Sequence, residues 1–303
     1  MKRAARDRAD ADVRVVEAFG EEWSRFSNES LSVSELTEMF EAYMAIFPWD
    51  ALPEGAVGFD AGCGSGRWAK FVAPRVGYLH CVDASDQALA VARRVLRGFG
   101  NVDFRHESLG DLSIDDSSCD FGYSLGVLHH IPDTEEALAV CVAKLRPGAP
   151  FLAYLYYDLE EANSYRRLLL ACAGRVRWFV SRLPRRIRHF LADALAFTIY
   201  LPLARLARVV EQLGKDPSGL PLFQYRSRSF YVMRNDALDR FGTRLEKRFS
   251  RHQVVELFHG AGLEEVVFSN DPPWWVALGW RPPDSEIGPA SAQRAGRPDP
   301  SHR

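Results

Sequence analysis

Three glycines separated by single residues follow a short apolar run that ends on an aspartate. The glycines are Gly62, Gly64 and Gly66. Glycine permits positive φ and lets the backbone approach a ligand closely. A dinucleotide fingerprint would place its third glycine one residue later, at Arg67, so this spacing favours a ligand without a pyrophosphate. The Asp60 carboxylate before the loop repels phosphate and attracts a cation such as an amino-acid ammonium group.

A second acidic residue follows the glycine loop at the end of the next apolar run. Asp83 ends the run Tyr78–Val82, and a carboxylate at that place can accept hydrogen bonds from both ribose hydroxyls. A competing interpretation makes Asp83 the cap of the following helix, with Ser85 as the other candidate cap. The loop from Glu107 to Asp111, after a third short strand, is placed to pass over an adenine ring.

These motifs carry a family resemblance. Residues 58–66 resemble the glycine-rich first motif of class I S-adenosylmethionine-dependent methyltransferases, and Asp83 resembles their ribose-binding acidic residue. Residues 124–131 (Ser-Leu-Gly-Val-Leu-His-His-Ile) are similar to the fourth-strand motif of the small-molecule branch that includes the ubiquinone and menaquinone methyltransferases, the type 11 group. Residues 145–148 (Leu-Arg-Pro-Gly) look like the turn before the fifth strand of that group.

The resemblance implies S-adenosyl-L-methionine as the cofactor, and no metal. It covers residues 54–158 well and 246–280 by topology, but not the segment between them. One departure concerns the adenine loop, where a Gly-Asp-Ala triplet is common and this chain has Glu107-Ser108-Leu109. The cofactor-binding residues that we predict are Asp60, Ala61, Gly62, Cys63, Gly64, Gly66, Asp83, Ala84, Ser108, Leu109 and Leu125.

The implied reaction is in-line displacement at the methyl group of a sulfonium, in which the protein supplies placement and electrostatics. A hydroxyl acceptor loses a proton during transfer, and histidine is the usual base. His129 and His130 follow the fourth strand and are the predicted catalytic residues. The alternative is that both only shape the loop.

The predicted substrate-binding residues come from two places in the chain. The first is the end of the fifth strand, at Tyr156 and Tyr157. The second is a polar and aromatic stretch in residues 223–250. Its candidates are Tyr231, Arg234, Asp239 and Arg240. The alternative for this second group is a set of salt bridges that pin the segment to the core.

Strands alternate with helices from residue 54, which predicts parallel βαβ units and an α/β fold. The family resemblance makes this a Rossmann-like, seven-stranded class I methyltransferase sheet with a helical cap inserted after the fifth strand. We expect four parts. They are N-terminal helices covering the cofactor site (1–53), a core (54–158 and 246–281), a helical cap or substrate insertion (159–245) and a disordered tail (282–303).

The inserted segment is rich in arginine and apolar residues. Ten arginines lie between Tyr165 and Val210, where Asp193 is the only acidic residue. Helices with basic and apolar faces suit a membrane surface or an anionic or lipid-linked substrate. The alternative is a helical cap with a solvated arginine face.

Composition and charge argue against several other classes of protein. The 303 residues carry a formal net charge of −2, which argues against a nucleic-acid-binding surface. Five scattered cysteines without a CxxC pair indicate reduced thiols rather than a disulfide framework or zinc site, so we expect a cytoplasmic protein. No stretch reaches the roughly 18 apolar residues expected of a membrane span.

The favoured function is O-methylation of a small molecule, with a glycosyl, anionic or lipid-linked metabolite as acceptor and carbon or nitrogen left open. The competing classes are a non-catalytic S-adenosylmethionine-binding protein, a membrane-recruited protein and a nicotinamide-dependent oxidoreductase. The spacing of the loop and the charge of Asp60 count against the oxidoreductase. The oligomeric state does not follow from the sequence.

Overall fold

The structure is a computed structural model, and for residues 164–171 only its backbone is described. The residues that it describes are 16, 20, 32–156, 158, 164–242, 245–270 and 275–283.

Seven strands form one mixed sheet in the order β3-β2-β1-β4-β5-β7-β6. The strands are β1 (Val57–Ala61), β2 (Tyr78–Asp83), β3 (Val102–His106), β4 (Phe121–Leu125), β5 (Pro150–Tyr154), β6 (Glu264–Phe268) and β7 (Val276–Trp280). The first five are parallel, whereas β7 runs antiparallel to both β5 and β6. The predicted α/β Rossmann-like sheet is confirmed.

Helices flank the sheet and fill the insertion after β5. They are α1 (Val33–Tyr43), α2 (Ala69–Val72), α3 (Asp86–Val95), α4 (Thr134–Lys144), α5 (Ser164–Val180), α6 (Arg185–Leu195), α7 (Leu201–Gln212), α8 (Phe230–Gly242) and α9 (Arg251–Gly260). A capping box begins α9, because Ser250 and Gln253 exchange side-chain and backbone hydrogen bonds. We call residues 164–242 the cap.

Large apolar side chains of the central strands fix the sheet between two layers. Phe59 and Phe151 lie in one buried cluster with α4 and α9, and Phe121 lies in a second with α1 to α3. All three side chains are fully buried. Since buried parallel strands carry apolar residues on both faces, their sequences read as continuous apolar runs rather than as alternation. Because β1, β2, β4 and β5 are parallel, their carboxyl ends lie at the same edge of the sheet.

Element ends differ from the sequence-based expectations by a few residues. The fourth strand begins at Phe121 rather than Cys119, which forms an isolated parallel bridge to Leu145. The fifth strand ends at Tyr154, so Tyr156 lies in the loop beyond it. Within the predicted N-terminal helices (1–53), α1 ends at Tyr43, because the chain turns at Met44.

The N-terminal segment is described in part. Gly20 is buried, and a Cβ placed there would lie 2.6 Å from Oγ of Ser85, next to the second strand. Phe19, Trp23 and Phe26, the aromatic residues in this part of the predicted N-terminal helices (1–53), lie outside the described residues. Most of the predicted tail, from residue 284, lies outside them as well.

The cap contains one long continuous helix. Helices α6 and α7 join through a π turn at Ala196–Tyr200 to give a 28-residue helix, Arg185–Gln212. By length and composition this helix could cross a membrane, so the expectation that no stretch is long and apolar enough is wrong. The reason is that charged residues are sparse between Asp193 and Arg205, where the chain is almost wholly apolar.

Candidate active site

The glycine loop joins β1 to α2 through three residues with positive φ. Gly62, Gly64 and Gly66 have φ of +86°, +54° and +73°. A Cβ at Gly62 would lie 2.5 Å from the side chain of Val127, which follows β4. L-residues with side chains rarely adopt such φ, so the loop requires glycine on both conformational and steric grounds.

Asp83 closes the loop from the neighbouring strand. Its Oδ2 accepts the Gly64 N–H at 2.8 Å, and its Oδ1 accepts the Ser85 N–H at 2.8 Å. Each carboxylate oxygen keeps a second acceptor position for a hydroxyl group. Burial raises the pKa of Asp83 above its ordinary value, against these two backbone hydrogen bonds. The helix cap is Ser85, whose hydroxyl accepts the Ala88 N–H, so the alternative role for Asp83 is wrong.

Asp60 lies at the carboxyl end of β1 and is almost fully buried. The hydroxyl of Tyr123, on the adjacent strand β4, donates to its Oδ2 at 2.8 Å. Burial, together with the nearby Asp83 charge, raises the pKa of Asp60 to about 7, although the Tyr123 hydrogen bond and Arg67 lower it. A cation placed beside Asp60 would therefore stabilise its ionised form.

The other predicted cofactor residues surround this loop. Ala61 and Cys63 are buried, and Leu125 ends β4 with little exposure. The adenine loop is tied to the second strand, because the Ala84 carbonyl pairs with His106 at 2.9 Å. Ser108 remains exposed, since its hydroxyl accepts only a long 3.4 Å bond from Gly110 N–H. Leu109 is buried in the core.

These residues fit S-adenosylmethionine. The glycine loop has no room for a side chain at Gly62, because a Cβ there would clash with Val127. Asp83 offers the paired acceptors that a ribose diol needs, and Asp60 offers a buried carboxylate for an ammonium group. The donor set suits a nucleoside with a cationic amino-acid end.

The two predicted catalytic histidines lie in a short 3₁₀ turn after β4, and both are buried. His129 stacks on the ring of Tyr156 at 3.9 Å, and neither of its ring nitrogens has a hydrogen-bond partner within the part of the chain that the structure describes. Burial lowers the pKa of His129 well below its ordinary value, and His130 and Arg248 lower it further. His129 is therefore neutral near pH 7.

His130 contacts two other segments. Its Nδ1 donates to the Leu245 carbonyl at 2.6 Å, and its Nε2 lies 3.5 Å from Oδ1 of Asp239. The carbonyl of Leu245 fixes a proton on Nδ1. Nε2 therefore faces the Asp239 carboxyl and is placed to share a proton with it.

Asp239 brings the cap to the ends of the strands. Its Oδ2 accepts a hydrogen bond from the Tyr156 hydroxyl, which follows β5. Burial raises the pKa of Asp239, whereas His130 and the Tyr156 hydrogen bond lower it. Four predicted residues, two called catalytic and two called substrate-binding, are thus in one cluster: His129, His130, Tyr156 and Asp239.

The segment 245–249, which we call the strap, connects this cluster to the core by hydrogen bonds. Lys247 N–H donates to the His129 carbonyl at 2.8 Å, and Phe249 N–H donates to the Tyr156 carbonyl at 2.9 Å. Glu246 is buried between two arginines, with Oε1 3.2 Å from Arg177 and 2.8 Å from Arg248. The strap fixes both the histidine turn and the loop after β5.

The remaining predicted substrate residues divide into three cases. Arg240 lies near the cluster and forms a 3.5 Å ion pair with Asp236. Arg234 donates two hydrogen bonds to Asp193 within the cap, on a different face of α8 from Asp239, and Tyr231 packs beside it. The Arg234 ion pair is internal to the cap, so it is neither a substrate contact nor one of the predicted salt bridges that would pin the cap to the core. Tyr157 lies outside the described residues.

The sequence-based prediction missed several residues at the site. Tyr123 was passed over as a strand residue, and Tyr43 as part of an amphipathic helix. Tyr154 was read as strand interior, although it packs between Tyr43 and Tyr156 at centroid distances of 5.0 and 5.8 Å. Tyrosine among apolar residues was the available signal, since a buried hydroxyl needs a partner.

Comparison with known proteins identifies the class of enzyme to which this site belongs. Residues 59–153 match the family model described as a methyltransferase domain. The chain is a class I S-adenosylmethionine-dependent methyltransferase. The matched residues include the glycine loop, Asp83 and the histidine turn, so the family segment holds the cofactor half of the site.

Two curated relatives of this methyltransferase carry the same ubiquinone-related name. The ubiquinone biosynthesis O-methyltransferase of Aromatoleum aromaticum is 25% identical over 211 residues, which cover 68% of this chain and 85% of that protein. The protein of the same name from Hahella chejuensis is 29% identical over 137 residues, covering 45% of this chain and about half (55%) of that one. A solved S-adenosylmethionine-dependent methyltransferase from Thermotoga maritima is 15% identical, with a TM-score of 0.47 over 87% of this chain and 99% of that one.

Proposed function

We propose that this methyltransferase transfers the methyl group to a hydroxyl oxygen of a small, polyhydroxylated acceptor of the glycosyl class. The observation that carries the proposal is the Asp239 carboxyl group, which meets Tyr156 and His130 at the carboxyl ends of β4 and β5. This is the edge at which parallel α/β sheets bind ligands. A carboxylate there can take the hydrogen of an acceptor hydroxyl.

A series of aromatic rings links the cofactor loop to Asp239. Trp68 follows the loop and contacts Tyr43 at 5.3 Å between centroids, and Tyr43 contacts Tyr154 at 5.0 Å. Tyr154 in turn contacts Tyr156, which bonds to Asp239. These contacts support a shared wall between the cofactor cleft and the acceptor site.

The charges of the cluster favour an uncharged, hydrogen-bonding acceptor. Three basic and three acidic side chains surround Tyr156: Arg177, Arg240, Arg248, Asp236, Asp239 and Glu246. The balance disfavours a strongly anionic substrate. The buried Glu246 Oε2 there has no hydrogen-bond partner among the described residues. Since buried polar groups require hydrogen bonds, a hydroxyl of a polyol would satisfy it.

The residues divide the work as follows. The cofactor, when bound, supplies an electrophilic methyl group on a sulfonium. Gly62 and Asp83 position the cofactor, while Asp60 holds its amino end. Asp239 accepts the hydrogen of the acceptor's hydroxyl group, helped by burial, which raises the pKa of this carboxyl group above its ordinary value. His130 Nε2 shares that proton, and Tyr156 keeps the carboxyl group oriented.

The names of the curated relatives also support oxygen as the acceptor atom, because both are O-methyltransferases. Those relatives are only 25% and 29% identical to this chain, so the proposed acceptor class depends on the cap residues of this chain rather than on those names.

A screen with labelled methyl donor tests the proposal. The enzyme is incubated with carbon-13-methyl S-adenosylmethionine and separate pools of glycosides, phenols, amines and carboxylic acids, and products are identified by mass and NMR. We expect O-methylated glycosides. Turnover confined to amines or to carbon acceptors, or no turnover by an enzyme that binds the cofactor, would overturn the proposal.

A further inference from the structure

The long cap helix Arg185–Gln212 exposes large apolar side chains at helical intervals. The exposed fractions are 70% for Phe190, 63% for Phe197 and 69% for Leu213, just beyond the helix end. Ile187, Leu206 and Val209 are also exposed. Spacings of three and four residues, with a register shift at the π turn, place most of these side chains along one face, which we call the outer cap face.

The opposite face of the helix is the one that packs against the protein. Its buried side chains are Ala192, Ala196, Tyr200, Ala204 and Ala207. Most of them join the apolar cluster of the cap with α8 residues such as Met233. The outer cap face therefore takes no part in the packing of the cap, and its contact with another apolar surface would be favourable.

Charge indicates what covers this face. The helix carries five arginines and two acidic residues. Both acids are already paired, Asp193 with Arg234 and Glu211 with Arg226. Arg186, Arg205 and Arg208 are exposed beside the apolar positions. The surface therefore combines apolar side chains with positive charge that the acids of the same helix do not neutralise.

We infer that the outer cap face docks on the surface of an anionic lipid bilayer, with the helix lying in the interfacial plane. Apolar side chains enter the boundary of the acyl chains while arginines meet anionic headgroups. A second copy of the chain fits less well, because an isologous contact would bring like charges together. A membrane-spanning arrangement fits less well too, because one face of the helix packs against the rest of the cap and Asp193 forms an ion pair with Arg234 there.

This inference does not depend on the proposed acceptor chemistry, and vesicle pelleting tests it directly. The full chain is sedimented with vesicles of phosphatidylcholine alone and of phosphatidylcholine with phosphatidylglycerol. We expect binding to the anionic vesicles that weakens as salt is raised. The triple variant Arg186→Ala, Arg205→Ala, Arg208→Ala should bind on the order of a hundredfold more weakly, from about fivefold per arginine. Phe190→Ser with Leu206→Ser should weaken binding by about tenfold or more.

Matched controls keep the test specific. Arg94→Ala with Arg97→Ala removes exposed charge from the region of α3, and Val33→Ser with Val267→Ser removes exposed apolar side chains elsewhere. These controls should bind vesicles as the wild type does, and all variants should keep cofactor affinity, which shows that they fold. Failure of the wild type to bind anionic vesicles would overturn the inference, as would equal losses in the controls. Protein that resists alkaline carbonate extraction would instead show that the helix spans the bilayer, which would also overturn it.

Discussion

The hydroxyl of Tyr156 donates a hydrogen bond to Oδ2 of Asp239, joining the end of the fifth strand to cap helix α8 across 83 positions of sequence. His130 approaches the other carboxylate oxygen at 3.5 Å. One carboxyl group thus contacts both the core and the inserted cap, which the family resemblance does not cover. We therefore expect the cap to determine the acceptor chemistry through this contact.

Asp239→Asn should lower kcat by about a hundredfold or more while leaving cofactor affinity unchanged, because an amide cannot accept the acceptor's proton. The measurement is steady-state turnover beside calorimetric binding of S-adenosylhomocysteine. Asp193→Asn is the matched control in the same cap, since its partly exposed ion pair with Arg234 is worth about 1 kcal/mol or less. Equal loss of turnover in both variants would show that Asp239 only stabilises the cap.

Asp83→Ala should weaken cofactor binding by about tenfold or more, through loss of the paired bonds to ribose hydroxyls and of the acceptor that holds the Gly64 N–H. Asp86→Ala, three residues later on exposed α3, should leave the affinity as it is. Calorimetric titration with S-adenosylhomocysteine distinguishes the two. An Asp83→Ala protein with wild-type affinity would remove the ribose assignment.

Cofactor affinity should fall as pH falls through about 7. Burial raises the pKa of Asp60 to about 7, and only its ionised form pairs with the cofactor's ammonium group. Below that pH the carboxyl must lose a proton to bind, so affinity decreases by up to about tenfold per pH unit. Titrations between about pH 6 and about pH 8 measure this slope. In Asp60→Asn the affinity should be lower at high pH and the slope flatter; an unchanged slope would assign the titration to another group.

Acid should destabilise the fold through His129. Burial holds the pKa of His129 in the folded state well below its ordinary value. Between these two pKa values the unfolded chain binds a proton at His129 and the folded chain does not. Stability is therefore present above the ordinary pKa, about 6.5, and is lost as pH falls below it, by up to about 1.4 kcal/mol per pH unit. Urea midpoints at about pH 7.5 and about pH 5.5 should differ less for His129→Phe than for the wild type. His252→Phe, at an exposed site, should behave as the wild type does.

Gly62→Ala should abolish detectable cofactor binding and lower stability by about 1–3 kcal/mol, because φ is +86° and the new Cβ would meet Val127. Gly98→Ala, where a Cβ has open space, should be nearly neutral. Thermal melting with and without S-adenosylhomocysteine reports both effects. Normal binding by Gly62→Ala would show that the loop tolerates a side chain.

The sequence is informative about this protein where local pattern and fold coincide. Gly62, Asp60 and Asp83 were predicted because strand ends and loop spacing fix them relative to one another. Asp239 was predicted by residue type alone, and its contact with Tyr156 depends on how the cap folds back, which no local pattern encodes. Arg234 shows the same limit, since its partner Asp193 lies on another helix. Tyr123 was missed because a strand position conceals which buried group its hydroxyl meets.

A crystal structure with S-adenosylhomocysteine bound tests the central claim most directly. We predict that the ribose hydroxyls bond to the Asp83 carboxylate, that the amino group lies beside Asp60, and that the sulfur faces the space bordered by Tyr154, Tyr156 and Asp239. A ribose placed away from Asp83, or a sulfur directed away from the Tyr156–Asp239 contact, would contradict this arrangement of cofactor and acceptor sites.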